Sequence, residues 1–163
     1  MRILGIDFGE RRTGIAVSDP MGWTAQGLET AVGRMDAAVA RIARLTHEYG
    51  AEAVVVGYPL NMNGTAGFRA ERTEEFIKAL GEQIADKNVA IIKWDERLTS
   101  AEAARKLKEA GIRPGARSTR EKGKLDVLSA AILLQSYLDS RRGAEGKNEA
   151  EHGCDQPEGV MNE

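Results

Sequence analysis

The sequence predicts an α/β fold in which a mixed five-stranded sheet is flanked by helices, and three observations carry that expectation. The first 31 residues read as three consecutive strands, and each later strand is followed by helical periodicity. The segment 53–56 is a β-branched run with no polar face, the pattern of a strand covered on both sides. With 163 residues, 42% hydrophobic and 29% charged, the chain supports one substantial core and is read as one domain.

Residues 2–8 (Arg-Ile-Leu-Gly-Ile-Asp-Phe) form the first strand, Gly9-Glu10-Arg11-Arg12 a turn, and residues 13–18 the second strand of an opening hairpin. A third extended segment at about 25–31 completes a meander. Asp36 opens a helix with Val39, Ile42, Ala43 and Leu45 on its apolar side, and Gly50 ends it. The stretch 58–67 holds too many breakers for a helix and leads into one with Phe76, Ile77, Leu80 and Ile84 near helical spacing. Residues 89–94 form the next strand. Thr99 with Glu102 has capping-box spacing, so the chain is expected to turn directly from that strand into a helix near Ser100 and to leave it by Gly111. Ser118 with Glu121 repeats the signal for a last helix, which runs to about Arg142 with Leu125, Leu128, Ile132 and Leu138 facing inward. The domain is therefore 1–142, and the Gly/Glu/Asn-rich acidic tail 143–163 is expected to stay disordered.

The formal charge of -2 conceals a mildly basic domain. The tail carries six acids against Lys147 alone, which leaves 22 basic and 19 acidic residues, or +3, over 1–142. The single cysteine, Cys154, has no intrachain partner, the pattern of a reducing compartment. The N-terminal apolar run meets Asp7 too soon for a signal-peptide core, and no stretch approaches membrane-spanning length, so the expected location is the cytoplasm, with no membrane partner.

Asp7 interrupts the otherwise apolar run Ile3-Leu4-Gly5-Ile6-Asp7-Phe8-Gly9, a costly place for a carboxylate unless it is paired, hydrogen-bonded to the Gly9 turn, or bound to metal. Asp95-Glu96-Arg97 closes a later strand. Alternation sends Asp95 and Glu96 to opposite faces, so one can share a site with Asp7 while the other caps the next turn or pairs with a base; Glu96 is assigned to the site. The competing reading of Glu96 is a strand-end ion pair with Arg97. Asp126 lies in the last helix beside Ser129, Ala130 and Ala131, small residues that let the helix approach a sheet closely. Converged, these three carboxylates supply hard oxygen ligands suited to Mg²⁺ or Mn²⁺. Two metals about 3.5–4 Å apart would serve in-line attack at phosphorus.

Other chemistries lack material. His47 and His152 are the only histidines, neither with metal-ligand spacing to Cys154, and no serine or cysteine sits in a nucleophile motif. Gly64-Thr65-Ala66-Gly67 before a helix is a weak phosphate signal with no P-loop lysine. A basic run around Arg105–Lys124, including Arg117, Arg120, Lys122 and Lys124, leads to Asp126 and, with Arg12 and Arg97 beside the other acids, is the candidate nucleic-acid contact; the alternative is a solvated surface.

Four motifs occur in order. They are Gly5-Ile6-Asp7-Phe8-Gly9 with Arg12, Gly14 and Ala16-Val17-Ser18-Asp19; Val56-Gly57-Tyr58-Pro59-Leu60-Asn61-Met62-Asn63-Gly64-Thr65; Asp95-Glu96-Arg97-Leu98-Thr99; and Asp126 with Ala130-Ala131 and Leu134-Gln135-Ser136-Tyr137-Leu138. Together they span residues 3–138 and resemble the signatures of the YqgF/RuvX family. Tyr58, Asn63 and Thr13 depart from the residues usual there, and none is a proposed ligand. The resemblance implies an RNase H-like fold related to RuvC resolvases, acidic site positions at Asp7, Glu96 and Asp126, and either Holliday junction resolution or maturation of pre-16S ribosomal RNA. RuvC-like sites usually carry a fourth acid, and Asp139, about 20 Å from Asp126 at 1.5 Å per residue of helix, is too far to serve. Asp95 or a substrate phosphate is left to complete the shell.

RNA is favoured as substrate, with structured DNA as the alternative. Symmetric cleavage of a four-way junction demands two sites on a two-fold axis, hence a homodimer, and the sequence shows no seam for one. Two further alternatives are an ATPase of the actin and sugar-kinase type, which needs a second lobe that 142 residues do not supply, and a non-catalytic nucleic-acid-binding module.

Overall fold

The computed structural model describes residues 1–85, 88–99, 105 and 119–151, the last stretch with side chains over 122–144. Strands β1 (Arg2–Asp7), β2 (Arg12–Ser18), β3 (Ala25–Val32), β4 (Ala51–Tyr58) and β5 (Ala90–Asp95) form one sheet in the order β3-β2-β1-β4-β5. The β1–β2 and β2–β3 pairs are antiparallel, while β1–β4 and β4–β5 are parallel. Helices α1 (Met35–Glu48) and α2 (Phe68–Ile84) cover one face, and α3 (Thr119–Glu151) crosses the other. This is the mixed α/β sheet that the element pattern implies.

The two faces follow from strand alternation. On β1, Leu4 and Ile6 join Ile42 of α1 and Phe76 and Leu80 of α2, while Ile3 joins Leu134 and Leu138 of α3. On β4, Val54 and Val56 face the first group and Ala53 and Val55 the second, which is why its sequence is an unbroken apolar run. Each fully buried leucine contributes about 2 kcal/mol. Phe8 stacks on Phe76 at 4.4 Å between ring centres, and Trp94 meets Tyr137 edge-on at 5.5 Å, so both layers are pinned near the carboxyl ends of the central strands.

Two boundaries differ from the sequence expectation. Between β5 and whatever follows stands a 3-10 turn, Glu96–Leu98, so the chain does not pass directly into a helix; Thr99 donates from both N and Oγ1 to the Glu96 carbonyl. The helix expected at about 100–111 lies outside the described residues apart from Arg105. α3 continues to Glu151 instead of stopping near Arg142. Once a helix is nucleated, each added residue costs little, and the Ala, Glu and Lys beyond Gly143 are good helix formers. The remainder of the acidic tail, 152–163, lies outside the described residues. Among the described residues no helix is long and apolar enough to cross a membrane.

Candidate active site

Asp7 is the last residue of β1 and shares a face with Ile3, the face covered by α3. Its neighbours across the sheet are small. Asp7 pairs directly with Gly14 of β2, and on the other side Ile6 pairs with Val56, which puts Gly57 of β4 next to Asp7. A side chain at either glycine would occupy the room the other two acids use. A Cβ on Gly14 would lie 2.0 Å from the backbone oxygen of Asp126, and one on Gly57 would lie 2.9 Å from Oε1 of Glu96. The sheet thus leaves a notch on each side of Asp7, and α3 and the 3-10 turn each lay an acid into one.

Glu96 is half-buried, and Arg97 binds a different partner. Asp95 takes Arg97 through its N–H at 3.0 Å and its guanidinium at 2.6 Å, so the strand-end ion pair belongs to Asp95 and Glu96 is released to the α3 face. Asp7 makes no hydrogen bond to the Gly9 turn among the described residues. Burial raises its pKa to about 7, with the charges of Glu96 and Asp126 adding to the rise and Arg69 opposing it. Glu96 and Asp126 are also raised, each chiefly by burial; Arg69 opposes the first shift and Arg12 the second. The structure therefore brings Glu96 and Asp126, both predicted from sequence, each within electrostatic reach of Asp7.

Arg12 Nε lies 3.0 Å from Oδ2 of Asp126, an ion pair by distance. That oxygen is buried and, among the described residues, meets no donor other than the Arg12 guanidinium. A carboxylate oxygen met by a single ion pair keeps a lone pair to spare, and a cation in the notch would take it up. The donor set, carboxylate oxygens alone, fits Mg²⁺ or Mn²⁺. As the side chains stand, no group of three or more His, Cys, Asp or Glu among the described residues is arranged to hold an ion, so the acids form an open cluster with arginines supplying counter-charge.

The basic candidates separate. Arg12 and Arg97 stand beside acids. Lys122 lies one helical turn before Asp126, whereas Lys124 lines a groove with Gly27 and Thr30 of β3, away from the acids. Arg117 and the Arg120 side chain lie outside the described residues. Arg69, at the start of α2, was missed by the sequence reading; its only signal was its place two residues after the Gly64–Gly67 loop. A larger groove of about 1080 Å³ between α1 and α2, lined by Arg11, Arg34 and Val39 among others, contains none of the acids.

Residues 1–140 match the family described as RuvX, Holliday junction resolvase. The chain belongs to this family. It is 50% identical over 145 residues to a Ruminiclostridium cellulolyticum protein named "Putative pre-16S rRNA nuclease", covering 88% of this chain and 97% of that one. A protein of the same name from Acetivibrio thermocellus is 50% identical over 143 residues, covering 86% and 97%. Among solved structures, Thermus thermophilus RuvC superposes with a TM-score of 0.56 at 18% identity, covering 88% of this chain and 97% of RuvC. RuvC in complex with a Holliday junction substrate gives 0.54, also at 18% identity, over 88% of this chain and 96% of that one. The chain therefore has the fold of RuvC, which is RNase H-like.

Proposed function

We propose that this chain is a cytoplasmic metal-dependent nuclease that hydrolyses phosphodiester bonds in the precursor of 16S ribosomal RNA. The observation that supports it most is the meeting of Asp7, Glu96 and Asp126 at the carboxyl ends of the central strands, close enough for the charges of the other two to raise Asp7. Asp7, Glu96 and Asp126 would hold Mg²⁺ or Mn²⁺, one ion or a pair, and the metal would supply an activated water and stabilise the leaving oxygen. The protein's own part is positional. Gly14 and Gly57 admit the flanking acids, Arg12 pairs with Asp126, and Lys122 and Arg97 would offset phosphate charge.

The name shared by the relatives at 50% identity supports ribosomal RNA as substrate. The family description favours a second reading, four-way junction DNA, which brings with it the two-fold dimer. Incubation with pre-16S rRNA fragments and with junction DNA, in Mg²⁺, Mn²⁺ or EDTA, separates them. Metal-dependent RNA cleavage, lost in EDTA and in Glu96→Gln, is the expected result; junction cleavage by a dimer would move the assignment to the resolvase, and no cleavage of either would sink the nuclease.

Arg12 makes a further prediction. Its cation lowers the pKa of Asp126 against the effect of burial, so its removal favours protonated Asp126. In Arg12→Gln the acid limb of the cleavage pH profile is expected to move to higher pH, with activity recovering as pH rises. An unmoved limb would show that Asp126 is ionised without help.

A further inference from the structure

Beyond the ends of β1 and β4 the structure has a recess of about 150 Å³, lined by Phe8, Gly9, Glu10, Pro59, Arg69 and Arg72 among others. Among the described residues, Arg12 lies against Asp126, while Arg69 lines this recess with Phe8 and Gly9, the residues that follow Asp7, and its charge acts on Asp7 and Glu96. Arg12 is ion-paired to its acid, and Arg72 is taken up by Glu10 at 3.1 Å and by Glu75. Arg69 comes within ion-pair distance of no carboxylate among the described residues, and its side chain is exposed. Its backbone is fixed: Ala70 is fully buried, and Thr73 Oγ1 donates to the Arg69 carbonyl at 2.9 Å. An anchored helix turn thus carries an unclaimed guanidinium to the mouth of an acid cluster, approaching from the α2 side while the acids face α3.

We propose that Arg69 binds a non-bridging oxygen of the substrate phosphate beside the three acids. The inference rests on the nuclease reading and names a residue for it. A phosphodiester brought against three carboxylates needs positive charge from the protein, and a guanidinium presents parallel N–H donors that match two phosphate oxygens. Arg69 has that charge free, because neither nearby acid holds it. The site chemistry is the same for RNA and DNA, since both present the same phosphate oxygens.

The test uses the full chain and a fluorescein-labelled single-stranded RNA. Binding is measured against salt concentration in Ca²⁺, and cleavage in Mg²⁺ across pH. Arg69→Gln is expected to lower cleavage about a hundredfold. It should also flatten the salt dependence of binding by about one phosphate contact. At pH 4, where Asp7 is protonated, the melting temperature is expected not to change, because the side chain is exposed. Arg69→Lys should restore the salt slope with only part of the cleavage, since the ammonium lacks the fork. Loss of cleavage that is recovered at high pH with an unchanged salt slope would mean Arg69 acts only by keeping the acids ionised, and would overturn the proposal. Wild-type protein that cleaves while Arg69→Gln cleaves equally well would remove Arg69 and leave the nuclease standing. Wild-type protein that binds without cleaving, with the slope still reduced in Arg69→Gln, would remove the nuclease and leave the phosphate contact; absence of binding by the wild type would remove both.

Discussion

Asp7→Asn is expected to abolish metal-dependent cleavage and, at the same time, to make the metal-free protein more stable above pH 7. The first half follows from losing a charged ligand at the centre of the acid cluster. The second follows from linkage. Burial, then Glu96 and Asp126, raise the Asp7 carboxyl to about 7 in the folded protein, against an ordinary 3.8. Between those values the folded state binds more protons than the unfolded one, so stability falls as pH climbs from about 4 to about 7 and stays low beyond. Three pKa units correspond to at most on the order of 4 kcal/mol. Because the residue is half-buried and water screens part of the effect, about 2 kcal/mol is expected. Asparagine has no proton to lose and keeps that stability, so at pH 8 in EDTA the mutant should melt several degrees above wild type, and near pH 4 the two should coincide. Mg²⁺ should raise the melting temperature of wild type alone, since metal that binds only the folded state stabilises it. Thermal scans at the two pH values decide it. A mutant that melts at or below wild type at pH 8 would mean Asp7 is not held against its neighbours' charge.

Much of this arrangement was legible in the chain because the elements that build it are locally determined. The apolar runs of β1 and β4, the periodicity of α1 and α2, and the interruption at Asp7 are properties of a few adjacent residues. The choice of Glu96 over Asp95 was legible for the same reason, since alternation along a strand fixes which neighbour faces which side. The role proposed for Arg69 was not, because it comes from where α2 begins relative to the ends of β1 and β5, a long-range relation with no local signature. The end of α3 was misjudged because a glycine at position 143 is a weak stop once a helix is already running. Gly14 and Gly57 read as ordinary strand glycines. Only the packed structure shows that their missing side chains are what lets Asp126 and Glu96 approach Asp7.

Gly14→Ala is accordingly expected to damage both fold and activity. The new methyl would lie 2.0 Å from the backbone oxygen of Asp126 and 2.5 Å from its carbonyl carbon, so no side-chain rotation relieves the clash. The start of α3 must lift from β2, and overpacking of this kind costs about 1–3 kcal/mol or more. The lift carries Asp126 away from Asp7 by about an ångström, and misplacement on that scale costs about a hundredfold in rate. The rate loss should therefore persist at temperatures where the mutant is fully folded, and excess Mg²⁺ should recover only part of it. Gly143→Ala in the same helix is the matched control. Nothing lies within 4 Å of the added methyl there, and exchanging glycine for alanine in a helix interior gains about 1 kcal/mol, so this variant should keep full activity and melt slightly higher. Equal melting and cleavage for Gly14→Ala and wild type would show that α3 does not rest on β2 at Asp126. The acid cluster would then need another support, because the close seat at Gly14 is what holds Asp126 beside Asp7.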